Sequence, residues 1–169
     1  MNLVLLGTVV FVPMLIEAAI SRRNEARLLA QGAVEPTGDV YRAMQVAYPL
    51  AFVAMLVEGA LGVQRVDVIV AAGFTVYVGA KSLKYWAIMT LGDRWAFRVL
   101  VPPGSALVAA GPYRIVRHPN YIGVIGELVG AALIARAPIA GTVAVLGFGL
   151  LIVRRVRVEE AALGVRLRD

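Results

Sequence analysis

No cysteine occurs among the 169 residues. Disulfides, thiolate nucleophiles and cysteine-held zinc or iron–sulfur centres are thereby excluded. Histidine is almost as scarce: His118 stands alone, so no polyhistidine metal site can form within a single chain and no metal is expected. A Gly-x-Gly-x-x-Gly run following a strand is missing too, which argues against a Rossmann-type nucleotide domain. Any chemistry must run on carboxylates, arginine, lysine, tyrosine, the one histidine or a bound cofactor.

Apolar residues are what the chain has in excess. They make up 60% of it, with a mean hydropathy of +0.78, against roughly 45–50% in ordinary soluble domains. The composition predicts one all-α integral membrane domain over residues 1–169, with about five transmembrane helices. A net charge of +6 would suggest nucleic acid in a soluble protein. In a membrane protein orientation is the simpler cause, and no nucleic-acid partner is expected.

Asn2 to Ile20 carries one charge, Glu17, and is long enough to span a hydrocarbon core of roughly 30 Å. It lacks the basic start of a signal peptide and reads as the first membrane helix. The cluster from Ser21 to Arg27 then opens a polar connection through Gly32, Pro36 and Gly38 to Arg42. Ala43 to Gly62 is a second apolar run, and a third begins at Val68 and stays apolar to about Ala80. From Lys81 to Trp86 it turns amphipathic, as snorkelling lysines and interfacial aromatics would make it. Residues 1–86 thus hold three helices, and residues 87–169 a polar loop, a hairpin and a tail. The hairpin arms are Ile122 to Ala135 and Ile139 to Val153, and their glycines, including the Gly126/Gly130 pair, would let two backbones approach. Glu17 and Glu58, near span ends, read as interfacial.

Five spans make a prediction about charge. If the first helix ends inside, 15 of the 17 lysines and arginines fall on inner segments, with only Arg65 and Arg136 outside. The central loop and the C-terminal tail then share the cytoplasmic face.

That loop, Asp93 to Tyr121, holds the lone histidine and four of the eight prolines, Pro102, Pro103, Pro112 and Pro119. Proline lacks the amide donor and crowds the preceding turn, so the segment cannot be one helix and should fold as a shaped loop. His118-Pro119-Asn120-Tyr121 lies where the chain re-enters the membrane, at a helix N-terminus, which favours anions. On the tail, Arg155 and Glu159 are four apart; the ordinary reading of them is a solvated ion pair worth a few tenths of a kcal/mol. Glu127 sits about 9 Å beyond Tyr121 at 1.5 Å of rise per residue, where an ionisable group either serves function or satisfies a neighbouring helix.

GPYRIVRHPNY, followed by a hairpin and RVRVEE, resembles the isoprenylcysteine carboxyl methyltransferase family, relatives of the phospholipid methyltransferases. The likeness runs from about Lys81 to Leu163. RRNEARLLAQGAVE and YWAIMTLGDRW further resemble a bacterial branch that O-methylates long-chain alkylpyrones and alkylresorcinols. The resemblance implies a bacterial plasma-membrane enzyme with its site on the cytoplasmic side. It implies S-adenosylmethionine as methyl donor, S-adenosylhomocysteine as product, and a lipophilic acceptor entering from the bilayer. Carboxyl methylation of an isoprenylcysteine-like substrate and N-methylation of a phospholipid are the alternatives within that chemistry; a non-catalytic scaffold or transporter subunit is the alternative outside it. Carried over, the cofactor contacts fall on Leu107, Val108, Tyr113, His118, Pro119, Asn120, Tyr121 and Glu159 or Glu160. The acceptor contacts fall on Arg155 or Arg157, with Glu127 a further candidate. Tyrosine faces would suit the sulfonium, a tail glutamate the ammonium or ribose hydroxyls, and Leu107 with Val108 the adenine ring.

Overall fold

The computed structural model describes residues 3–63, 66–104 and 108–162. Five α-helices account for most of them: α1 (Leu3–Ala30), α2 (Tyr41–Leu61), α3 (Val68–Leu91), α4 (Pro119–Ala135) and α5 (Pro138–Ala162). Short 3-10 turns at Gly92–Arg94 and Gly111–Arg114 punctuate the central loop. Among the described residues the only extended pairing is an antiparallel bridge between Val34 and Val101.

Side-chain caps fix several helix starts. Asp67 is the N-cap of α3 and accepts from Ile69 and Val70, while Asp39, one residue before the N-cap position of α2, accepts from the amide of Tyr41. A cap of this kind is worth about 0.5–2 kcal/mol. Pro119 occupies the first turn of α4, where its missing N–H costs nothing. The head of α5 is capped from another helix: both carboxylate oxygens of Glu58 accept amides, from Ile139 at 3.0 Å and Ala140 at 2.6 Å.

Two boundaries differ from the expected ones. The first helix does not stop at Ile20; the Ser21–Arg27 cluster continues it to Ala30. Nothing in that stretch breaks a helix, and one face of it, Ser21, Asn24 and Leu28, is buried. The third helix runs through the lysines to Leu91 rather than surfacing at Lys81.

Lys81 and Lys84 are not snorkelling, nor is Glu17 interfacial. Lys84 and Glu17 are 2% and 1% exposed, because opposite charges on three helices meet. Lys81 Nζ lies 2.8 Å from Glu17 Oε1 and 2.9 Å from Glu127 Oε2. Lys84 Nζ lies 2.6 Å from Glu17 Oε2 and 3.2 Å from Glu127 Oε1. Those last two oxygens accept no well-directed hydrogen bond, so Lys84 holds them by charge rather than by donor geometry. Tyr48 on α2 donates to Glu127 Oε2 at 2.8 Å. A neutral quartet therefore ties α1, α3 and α4 together, with α2 attached through one hydroxyl. Ions removed from water survive only when paired in this way.

The glycines of α4 face α3, not the other hairpin arm. A Cβ on Gly130 would stand 2.7 Å from the Tyr77 backbone nitrogen, and one on Gly126 2.7 Å from Ala80 Cβ. Gly73 on α3 returns the contact against Leu133. Of the α5 glycines, Gly141 alone presses on α4, at Ala132.

The outward surface is greasy. Leu15, Phe74, Val143 and Leu150 are among many large apolar side chains left well exposed, more than a water-facing surface normally carries. Helices α1, α2 and α5 are individually long and apolar enough to cross a membrane; α4, of 17 residues, is shorter. The protein is an all-α integral membrane protein.

Candidate active site

The central loop takes its shape from α1 and the connection after it. Asn24 Nδ2 donates to the carbonyls of Gly92 at 3.1 Å and Trp95 at 2.8 Å. Ser21 Oγ accepts the Phe97 amide at 2.8 Å while donating to Glu25. Further along, Asp39 Oδ2 accepts the Val99 amide, Val101 pairs with Val34, and Arg98 forms a bidentate ion pair with Glu35. The Arg98 hydrogen bonds hold the Glu35 carboxyl below its usual range against the opposing pull of desolvation. At the far end Gly111 adopts φ +53° and packs onto α3, where a Cβ would come within 2.4 Å of Thr90 Oγ1. Only glycine meets both conditions.

Folded this way, the loop closes against the last turns of α5. His118 Nε2 is 3.2 Å from Glu160 Oε1, and the Tyr121 hydroxyl donates to Glu159 Oε2 at 2.8 Å. The His118 and Tyr121 rings stack with centroids 5.6 Å apart. Arg155 does not pair directly with Glu159 as an i,i+4 ion pair; its Nε donates to the Tyr121 hydroxyl at 2.8 Å, so tyrosine bridges the two. The remaining arginine nitrogens reach Asp39 Oδ1 at 3.0 Å and the Phe97 carbonyl.

Between loop and helix lies a cleft of about 390 Å³, within the roughly 300–1,000 Å³ of small-molecule sites. Trp95, Val99, Leu100 and Val101 give it an apolar wall; Arg117, Arg155, Glu159 and Glu160 give it charge. Burial, seconded by the Glu159 carboxylate, pushes the Tyr113 hydroxyl up, so it stays a neutral phenol at physiological pH. One polar atom is stranded: Asn120 Oδ1 is buried and accepts no hydrogen bond from the protein. Such an atom costs about 1–3 kcal/mol unless something donates to it.

The cleft collects Val108, Tyr113, His118, Asn120, Tyr121, Arg155, Glu159 and Glu160 of the residues singled out in the sequence. Pro119 is buried behind it as the first residue of α4, and Leu107 lies outside the described residues. Arg157 is exposed and does not line the cleft. Glu127 serves the buried quartet instead. Sequence reasoning passed over Asp39 and the Trp95–Val101 wall. Asp39 did carry a signal, an aspartate at a helix start following Gly38; the wall carried none, since its role depends on the bridge to Val34.

Comparison with known proteins agrees with this geometry. The isoprenylcysteine carboxyl methyltransferase (ICMT) family matches residues 71–165, more than half of the chain, from the first turn of α3 through the end of α5. The chain is similar to the uncharacterized protein YpbQ of Bacillus subtilis (strain 168), 30% identical over 159 residues that cover 94% of this chain and 95% of that one. An uncharacterized protein of Haemophilus influenzae is 24% identical over 146 residues, covering 86% of this chain and 85% of its own. No solved structure matches. With the match spanning every residue that lines the cleft, the chain belongs to the isoprenylcysteine carboxyl methyltransferase family of membrane methyltransferases.

Proposed function

We propose that this protein transfers a methyl group from S-adenosylmethionine to an oxygen of a lipophilic acceptor, at the cytoplasmic face of a bacterial plasma membrane. The observation that carries this reading is the cleft itself, a nucleoside-sized, partly open chamber between the loop and the α5 terminus. Its lining is largely apolar, with Asn120, Arg155, Glu159 and Glu160 among its polar groups. The residues present fit the donor. Asn120 Oδ1, buried and unpartnered, offers an acceptor to an ammonium or an adenine amino group. Glu159 and Glu160 supply negative charge and hydrogen-bond acceptors for a cation, and the Tyr113 and Tyr121 rings supply faces for a sulfonium. Bound S-adenosylmethionine supplies an electrophilic methyl on a sulfonium centre.

The chain's own contribution is placement and an apolar wall. Trp95 and the Val99–Val101 wall make one side of the chamber apolar, and opposite charges that neutralise during transfer react more readily where water is poor. Holding two partners in line supplies much of the remaining acceleration. An acceptor that is already anionic needs no base; for a phenol, His118 held by Glu160 can take the proton. The alkyl part of the acceptor enters from the bilayer, which suits the exposed apolar flanks of the helices.

The acceptor we favour is a long-chain alkylpyrone or alkylresorcinol, supported by the RRNEARLLAQGAVE and YWAIMTLGDRW stretches. An isoprenylcysteine-type carboxylate is the second reading, favoured by the family match. Calorimetry of the detergent-solubilised protein with S-adenosylhomocysteine is the first test: saturable binding is expected, and its loss in Glu159→Ala. A scaffold would show neither. Labelled methyl donor, followed into lipid extracts, then separates the acceptors; label confined to polar-head lipids excludes the polyketide choice.

A further inference from the structure

Asp39 lies before the family-matched segment, in the connection between α1 and α2, and does not line the cleft, yet its carboxylate is buried against Arg155, which does. Its side chain is 4% exposed. Both oxygens are committed: Oδ1 to the Tyr41 amide at 3.0 Å and to Arg155 Nη1 at 3.0 Å, Oδ2 to the Val99 amide at 3.3 Å. Arg155 in turn is 5% exposed and leaves no nitrogen idle. Its Nη2 donates to the Phe97 carbonyl, and its Nε donates at 2.8 Å to the Tyr121 hydroxyl. Because that hydroxyl accepts from an arginine, its single proton must go elsewhere, and it goes to Glu159 Oε2 at 2.8 Å.

The direction of every bond in this series is fixed by chemistry. Guanidinium nitrogens can only donate and an ionised carboxylate can only accept, so the tyrosine between them has one orientation available. We infer that Asp39 is a positioning residue for the cleft: through Arg155 and the Tyr121 hydroxyl it fixes the rotamer of Glu159, the carboxylate we assign to the methyl donor.

Alternative explanations of Asp39 are a helix cap and a loop anchor, and it does both. Neither requires the third bond to Arg155, however, and neither explains why a buried arginine spends its Nε on a tyrosine rather than on Glu159 four residues along its own helix. A guanidinium buried here without a counter-charge would be costly. Asp39 supplies that charge from the side opposite the cleft, which leaves Glu159 free to face a ligand.

This inference rests on the reading of the cleft as a donor site, and its test separates the two. S-adenosylhomocysteine binding is measured by calorimetry on the full-length, detergent-solubilised protein in four forms: wild type, Asp39→Asn, Tyr121→Phe and the double variant. Asparagine keeps one oxygen for the Tyr41 amide, loses the acceptor for the Val99 amide and brings no charge to Arg155. We expect Asp39→Asn to weaken binding about tenfold in the wild-type background, and by less than about twofold where Tyr121→Phe has already cut the link. An equal loss in both backgrounds marks Asp39 as a cap or anchor only and overturns the inference, as does no loss in either. No binding by the wild type sinks the donor-site reading instead. Should Asp39→Asn fail to fold, Arg155→Lys put through the same pair of backgrounds tests the next link, with the same outcomes deciding.

Discussion

Lys84 is a buried cation whose two nearest carboxylates, Glu17 and Glu127, come from different helices. Removing one partner leaves charge in an apolar interior with half its compensation. Such losses run to about 3–5 kcal/mol, so Glu127→Ala should lower the unfolding temperature of the solubilised protein sharply, while Leu150→Ala on the exposed flank of α5 should not. Adding Lys84→Met to Glu127→Leu should recover part of the loss, because a matched apolar pair needs no counter-ion. The Glu35–Arg98 pair behaves differently, being about one-third exposed. Its carboxyl is held below the ordinary value of 4.5, so its stabilisation is complete above that value and is lost as pH falls through the lowered one. Wild type and Arg98→Gln should therefore differ slightly in unfolding temperature at neutral pH and converge on acidification.

Among the helices, α3 and α4 depend on small residues for their approach. Gly130→Leu would drive a side chain into the Tyr77 backbone, and overpacking of this kind costs about 1–3 kcal/mol. Gly147 meets nothing within 4 Å, so Gly147→Ala should be neutral or mildly stabilising in the same thermal assay. The difference between these glycines also shows what the sequence could tell. Apolar runs marked the helices, and proline spacing marked the loop, because both signals are local. The close spacing of Gly126 and Gly130 was visible; that they serve α3 was not, since hairpin neighbours and bundle neighbours leave the same pattern. Lys81 and Lys84 were misleading for a related reason. A lysine after an apolar run looks interfacial until Glu17, 64 residues earlier, is known to face it. In the cleft, His118, Tyr121 and Glu159 stood out by residue type and position. Asp39, behind the cleft, was legible only as an aspartate near a helix start, because its importance comes from a contact across 116 residues of chain.

For the molecule as a whole, the cleft and the Arg136–Asp67 pair lie at opposite ends of α4. Arg117 borders the cleft, whereas Arg136 lies at the α4–α5 turn with Asp67. The chain has no native cysteine, so single replacements report cleanly. Arg117→Cys in sealed right-side-out vesicles should resist a membrane-impermeant maleimide and react in inverted ones, and Arg136→Cys should do the reverse. Labelling of both from one side would show that α4 does not cross the membrane.

The contacts from Ser21 and Asn24 to the loop reach beyond local packing. They mean that the segment shared with the family does not carry its own mould: Trp95 and Phe97 are seated by side chains 71 and 76 residues upstream. A fragment of residues 71–165 alone should insert and still lack a ligand chamber. Supplying residues 1–66 as a separate polypeptide should restore one, which would make the first two helices an intramolecular chaperone for the last three.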